Sequence, residues 1–165
     1  MPKTPIQPEE LRKQIEDAFA EVAYPGDDQL VLDSSGYHLE CNQVAAVLKG
    51  KHWKQVPLDL LRQIALAALT PEAYRFYLPA FLVAGSLHYD EADLIPDSVV
   101  FSLLPPSDPH DIVVYGEIDK KRREIFTPAQ RAAVRAFLEF LKQYHAEDDP
   151  LGDVDRAIES LNPIS

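Results

Sequence analysis

The longest apolar stretch of the chain lies between residues 70 and 87 and reads TPEAYRFYLPAFLVAGSL. Nearly every position after its first turn is apolar or aromatic, and a helix that is apolar on all sides belongs inside a bundle. Thr70 and Pro71 are typical of a helix start, because threonine caps backbone N–H groups and proline needs no hydrogen bond there. The pattern predicts a central core helix, with a kink or break near Leu78 because Pro79 removes one helical hydrogen bond.

Shorter apolar stripes with a period of three to four residues predict further helices on both sides. The clearest one starts at Thr127, which with Gln130 forms a capping box ahead of an apolar stripe. The predicted fold class is mainly α, a single-domain bundle of six to seven helices around a proline-kinked central helix. The remaining helices are predicted at residues 8–23, 37–48, 57–69, 97–104 and 153–161.

Other segments carry the signals of turns and strands. A Pro-Gly pair within residues 24–28 occupies the central positions of a type II turn, and residues 30–32 are predicted to be extended. Residues 112–115 are β-branched or aromatic, and a charged run separates them from residues 123–126. Because such residues favour strands, we predict a small β-hairpin near 112–126.

Length and composition predict one globular domain over residues 1–165, since 46% of the residues are hydrophobic. Residues 1–7 are expected to be loose, and residues 146–165 to form an acidic linker and a short C-terminal helix. Neither a signal peptide nor a membrane span is predicted, because no apolar run follows the N-terminal charges and the 70–87 stretch is interrupted by charges and proline. With Cys41 as the only cysteine, a cytoplasmic, reducing location is expected.

The charge balance limits the class of partner. Asp and Glu number 27 against 16 Lys and Arg, which gives a net charge of −11. This field opposes binding to nucleic acid or to an anionic membrane and favours a basic protein partner, although solubility alone also explains it. Two acidic clusters that follow predicted helices form a candidate partner surface: Asp90, Glu91, Asp93, Glu147, Asp148 and Asp149.

No motif assigns a catalytic residue or a cofactor. The sequence has neither a glycine-rich phosphate loop nor a GxSxG motif, and Cys41 lies on an apolar stripe, where a thiol is unreactive. His38 and Glu40 are metal-ligand types, but two residues apart they point to different sides of a helix, so no metal site is predicted. The alternative that stays open is a small metal-dependent hydrolase built from His38, Glu40, His52, His88 and Asp90.

One set of polar and aromatic residues falls at the ends of predicted elements and could converge. The favoured interpretation is a buried network in which Asp27 caps a helix or pairs with Arg75 while Trp53 fills the core. The alternative is a ligand pocket, although aromatic residues at helical spacing usually pack. The set comprises Asp27, Asp28, Glu40, His52, Trp53, Tyr74, Arg75 and Tyr77.

The motifs YPGDD, GKHW, LTPEAYRFYLPAFL and FTPAQRAAVRAFLEFL together resemble an uncharacterised family of small bacterial proteins, over residues 15 to 145. This resemblance implies a cytoplasmic helical domain without an assigned activity, with partner-binding or immunity-type proteins among its gene neighbours. It transfers no catalytic residue. The leading hypothesis combines this resemblance with the net charge. It is that the chain is a non-catalytic, acidic helical protein that binds another protein, as an immunity or adaptor protein does.

Overall fold

A computed structural model describes residues 6–162, and within that range the chain is mainly helical, as predicted. Eight α-helices are present in this part of the chain, rather than six or seven. Short 3₁₀ turns stand between them, at Asp27–Gln29, Trp53–Gln55, Leu66–Ala68, Tyr89–Glu91 and Ala146–Asp148. The helices are α1 (Pro8–Phe19), α2 (Leu39–Leu48), α3 (Leu58–Leu61), α4 (Pro71–Leu87), α5 (Ile95–Leu103), α6 (Pro109–Glu124), α7 (Pro128–Tyr144) and α8 (Asp153–Ser160).

Helix α4 is the central core element that the sequence predicts. The Thr70 Oγ1 atom accepts a hydrogen bond from the Ala73 N–H at 3.1 Å, and Pro71 occupies the first helical position. The helix runs through Pro79 without a break, so of the predicted kink or break near Leu78 the break is wrong. Helices α1, α5, α6 and α7 pack against it and bury 12 of its 17 residues, which stabilises the helix despite the missing proline N–H.

Helices α4 and α7 approach each other closely at Gly85. A Cβ atom at this position would lie 3.0 Å from Cζ of Phe137, whose ring is fully buried. An alanine here would need the Phe137 ring to shift by a few tenths of an ångström, so the packing of the core favours glycine. On α7 itself, Thr127 and Gln130 form the predicted capping box.

The hairpin predicted near 112–126 is wrong, because these residues belong mainly to α6. Asp108 caps this helix by accepting a backbone N–H two residues on, and Pro109 takes the first helical position. The charged run at residues 119–122 was expected to form a turn, but it continues the helix. Within it, Asp119 and Arg123 form an i,i+4 ion pair of 2.9 Å.

The helix predicted at 57–69 is also shorter than expected. Only α3 and a 3₁₀ turn form there, and the chain between them leaves helical geometry. Val31 and Leu69 form an isolated antiparallel bridge, and the Leu32 N–H donates to the Ala68 carbonyl at 2.9 Å. These bonds to Val31 and Leu32 hold the end of the segment away from a helix. Leu30 has helical backbone angles, so the predicted extended piece does not include it.

The remaining helices predicted before α7 are present with shifted ends, as α1, α2 and α5. The C-terminal helix α8 packs against α5 and α7. Residues 1–5 of the predicted loose N-terminus and residues 163–165 at the other end lie outside the described residues. Between these ends, the structure contains no helix with both the length and the apolar character needed to cross a bilayer.

Candidate functional site

Seven of the eight residues of the predicted polar set fall into two parts with separate contacts, and Glu40 belongs to neither. In the first part, the Tyr24 hydroxyl donates to Asp27 Oδ1 at 2.6 Å and accepts the Gly50 N–H at 2.8 Å. The Tyr77 hydroxyl donates to the Lys51 carbonyl oxygen, 2.7 Å away. These hydrogen bonds tie the loop after α2 to α4 and to the turn after α1.

His52 and Trp53 belong to this first part. The His52 Nδ1 atom accepts the Lys54 N–H at 3.1 Å, and its ring packs edge-on against Phe76. Burial, with a smaller contribution from Lys54, lowers the pKa of His52, which favours the neutral imidazole that can accept this bond. Trp53 is buried in the core, whereas Asp28 is exposed.

Tyr74 and Arg75 form the second part, away from Asp27. Arg75 Nη1 donates to the Ile125 carbonyl oxygen at 3.1 Å, so the expected pairing of Asp27 with Arg75 is wrong. The Tyr74 hydroxyl lies 2.7 Å from Ser102 Oγ, and burial raises the pKa of Tyr74 to about 12. The proton therefore stays on the phenol at neutral pH, and the second part serves the interface of α4 with α5 and the C-terminal end of α6.

The histidines of the metal-hydrolase alternative have separate structural roles. His38 Nδ1 accepts the Cys41 N–H at 3.2 Å and caps α2, His52 caps a 3₁₀ turn, and His88 ends α4. Within residues 6–162, a different set brings three metal-ligand side chains to within 4.8 Å of one another: His145, Glu147 and Asp148.

Tyr89 links the two acidic clusters, and we call the surface that they form the acidic end. Tyr89, next to the first cluster, donates from its hydroxyl to Asp148 Oδ2 at 2.7 Å and stacks on His145 with ring centroids 3.4 Å apart. Burial raises the pKa of Asp97 nearby, and the charges of Asp148 and Asp149 add to that effect. The acidic end comprises Asp90, Glu91, Asp93, Glu147, Asp148 and Asp149.

A groove of about 740 Å³ opens between α2, α5, α6 and residues 65–68, and we call it the α2/α6 groove. Its volume falls in the range of roughly 300–1,000 Å³ that is typical of ligand sites. Three carboxylates stand at its rim, those of Asp33, Glu40 and Asp111. Apolar side chains line its walls: Leu32, Cys41, Leu66, Phe101, Leu104 and Tyr115.

Two buried charged residues of α6 form the floor of the α2/α6 groove. Arg122 is 8% exposed, and its Nη2 atom donates to the carbonyl oxygens of Ala67 and Leu69 at 2.8 and 2.7 Å. Asp119 is equally buried, and burial raises its pKa although Arg123 and Arg122 oppose the rise. Neither residue was predicted from the sequence, because both belong to the charged run that was assigned to a turn. In a helix, their spacing of three residues places them on one face.

Large exposed apolar side chains concentrate around the α2/α6 groove. Of the eleven such residues that the described part of the chain contains, three lie elsewhere: Leu94, Tyr144 and Leu151. Exposed apolar side chains that concentrate in one region of a protein surface usually mark an interaction site. Seven of the other eight line the groove or flank a residue that lines it, and Val113 lies between two of these seven: Leu32, Tyr37, Leu39, Phe101, Ile112, Val113, Val114 and Tyr115.

Comparison with known proteins assigns the chain to a family but not to an activity. Residues 7–161 match the family described as "Family of unknown function (DUF6714)", which confirms the resemblance to an uncharacterised family. No curated protein matches the chain, and no solved structure matches it.

Proposed function

We propose that this chain, which belongs to the family of unknown function DUF6714, is a non-catalytic acidic module that binds another protein. The observation that carries the proposal is the concentration of eight exposed apolar side chains around the α2/α6 groove. Exposed apolar side chains are unfavourable in water, and burying them against another molecule is favourable. Their concentration in one region therefore supports a partner that covers them.

The distribution of these side chains on α6 favours a macromolecule over a small ligand. Consecutive helical residues point about 100° apart, so residues 112–115 surround the first half of α6 on all sides. Tyr115 lines the groove, whereas Val113 is 85% exposed and does not line it. A molecule confined to the groove would leave Val113 in water, but a protein surface can cover both.

The acidic end supports a basic partner. Phe101 lines the α2/α6 groove and also a smaller cleft beside Tyr89 and Asp148, so the two regions adjoin. Exposed carboxylates attract a basic surface over about 8 Å at physiological salt and mainly increase the rate of association. We assign docking to the groove and attraction of the partner to the acidic end.

The test is affinity capture of partners from a lysate of the source cell, with matched variants of the full chain. Val113→Asp places a charge in the proposed interface, and Leu94→Asp places the same charge at an exposed leucine away from the groove. We expect capture of a stoichiometric protein by the wild type and by Leu94→Asp, and its loss with Val113→Asp.

Charge reversal tests the acidic end separately. Asp149 accepts the Asp153 and Val154 N–H groups and Asp148 accepts the Tyr89 hydroxyl, so both aspartates are left unchanged. Reversal of Asp90, Glu91, Asp93 and Glu147 to lysine is expected to slow association, as added salt should. If no stoichiometric protein is captured, or if Val113→Asp captures it as well as Leu94→Asp does, the proposed function is wrong.

A further inference from the structure

We infer that the α2/α6 groove receives an α-helix of the partner, with an apolar stripe facing the groove and lysine or arginine along its flanks. This inference rests on the proposed function and specifies the chemistry of the bound segment. It follows from three features of the groove: its backbone hydrogen bonds, the charge of its floor and the charge of its rim.

The backbone of residues 65–69 favours a helix over an extended strand. A strand that adds to an edge needs carbonyl and N–H groups that are still available for pairing. All five carbonyl oxygens of this segment already accept hydrogen bonds. Two bind Arg122, one binds the Leu32 N–H, and two close turns within the segment. The occupied carbonyls disfavour pairing of an added strand along this segment and favour recognition by side chains, as in helix-in-groove binding.

The floor favours apolar side chains of the partner. Alanine and leucine of residues 65–68 line the groove, and small side chains allow a helix to approach closely. In the floor itself, Arg122 already donates to two carbonyl oxygens. Asp119 Oδ2 lies 2.9 Å from Arg123 Nη2 and forms an ion pair with it, although without a well-directed hydrogen bond. The carboxylate in the floor therefore already has a counter-ion and is not available to a cation of the partner. We expect the basic groups of the partner to lie elsewhere.

The rim is where those basic groups belong. Its three carboxylates are those of Asp33, Glu40 and Asp111. Hydrogen bonds from Ser35 lower the pKa of Asp33 and thus stabilise its charged form. A helix with cations beside its apolar stripe would place opposite charges together, whereas a second copy of this chain would add another −11 to the same field.

The experiment uses the full chain and two synthetic helical peptides with the same leucine stripe, one flanked by lysine and one by glutamate. Binding is measured by fluorescence anisotropy at low and high salt. We expect the lysine peptide to bind and to bind more weakly as salt rises. The glutamate peptide should bind at least about tenfold more weakly, which corresponds to about 1.4 kcal/mol.

Matched variants locate the bound peptide. Glu40→Lys changes the rim, whereas Glu10→Lys makes the same change of charge on α1, which does not line the groove. Tyr115→Asp changes a wall, and Leu94→Asp is its control. Glu40→Lys and Tyr115→Asp are each expected to weaken lysine-peptide binding about tenfold relative to their controls, with circular dichroism showing that each variant is folded.

Three results would overturn the inference. These are equal binding of the two peptides, binding that the groove variants leave unchanged, and no binding of either peptide. A fourth contradicting result would come from sedimentation of the chain alone. If the chain forms a dimer that Tyr115→Asp dissociates, the occupant of the groove is a second copy. If the inference fails while Val113→Asp still abolishes capture of a native partner, the proposed function stands and only the chemistry assigned to its partner is wrong.

Discussion

Helices α4 and α6 have similar lengths, 17 and 16 residues, but opposite relations to the core. Helix α4 buries its apolar residues on nearly every side. In α6 the two buried residues are Asp119 and Arg122, while its apolar residues 112–115 are exposed. An apolar run therefore does not itself place a helix inside the protein. The neighbours that cover it decide the outcome, and α6 lacks them within the chain described between residues 6 and 162.

The internal glycines of these helices show the same difference. At Gly85 on α4, an added Cβ would meet the ring of Phe137 at 3.0 Å. At Gly116 on α6, the nearest atom would be Cγ2 of Ile112 at 3.8 Å, an ordinary contact. Packing within the chain explains the first glycine, whereas it does not require the second.

The largest expected effect comes from truncating one apolar residue in each helix. Leu78→Ala on α4 should lower the free energy of unfolding by roughly 2–5 kcal/mol, because it leaves a cavity at a fully buried position. Val113→Ala on α6, at a position 85% exposed, should change it by at most about 0.5 kcal/mol. Urea unfolding followed by circular dichroism gives both values. Similar losses would mean that the two helices are packed alike and would remove the contrast between them.

A somewhat smaller effect tests how α6 is attached to the rest of the fold. Arg122→Met keeps an apolar stem but leaves the carbonyls of Ala67 and Leu69 without their donor, which should cost about 3 kcal/mol. Lys121→Met, one position earlier and exposed, should be almost neutral. Equal stability of the two variants in urea would show that the buried guanidinium does not hold α6.

The smallest effects have opposite signs. Gly116→Ala should raise the free energy of unfolding by up to about 1 kcal/mol, because alanine favours a helix and has room here. Gly85→Ala should lower it by about 1 kcal/mol, because crowding against Phe137 outweighs the same gain in helix propensity. The midpoints of thermal unfolding should move in opposite directions, and a shift of the same sign in both variants would contradict this account.

The sequence predicted the elements whose local signals agree with one another. The start of α4 at Thr70-Pro71 and that of α7 at Thr127-Pro128 combine a cap with an apolar stripe, and both helices are present. In α6 the signals conflict, because β-branched residues favour a strand while Asp108-Pro109 starts a helix. Pro109 fits the end of the element before it as well as the start of a helix, so the sequence prediction follows strand propensity.

No local sequence pattern predicts the floor of the α2/α6 groove. Arg122 is buried because it binds carbonyls that are 55 and 53 residues earlier in the chain. The link between the acidic clusters likewise depends on a hydrogen bond between Tyr89 and Asp148, 59 residues apart. The sequence identified the carboxylates, but their arrangement follows from how distant helices pack.

Cys41 gives the wall of the α2/α6 groove a chemical reporter. It is the only cysteine in the sequence, lines the groove and is 3% exposed. A thiol reagent needs an accessible thiolate, so its reaction with Cys41 must wait until α2 moves away from its neighbours. The rate of labelling therefore measures how often these openings occur, and no probe has to be introduced into the protein. A molecule bound in the groove would slow that rate.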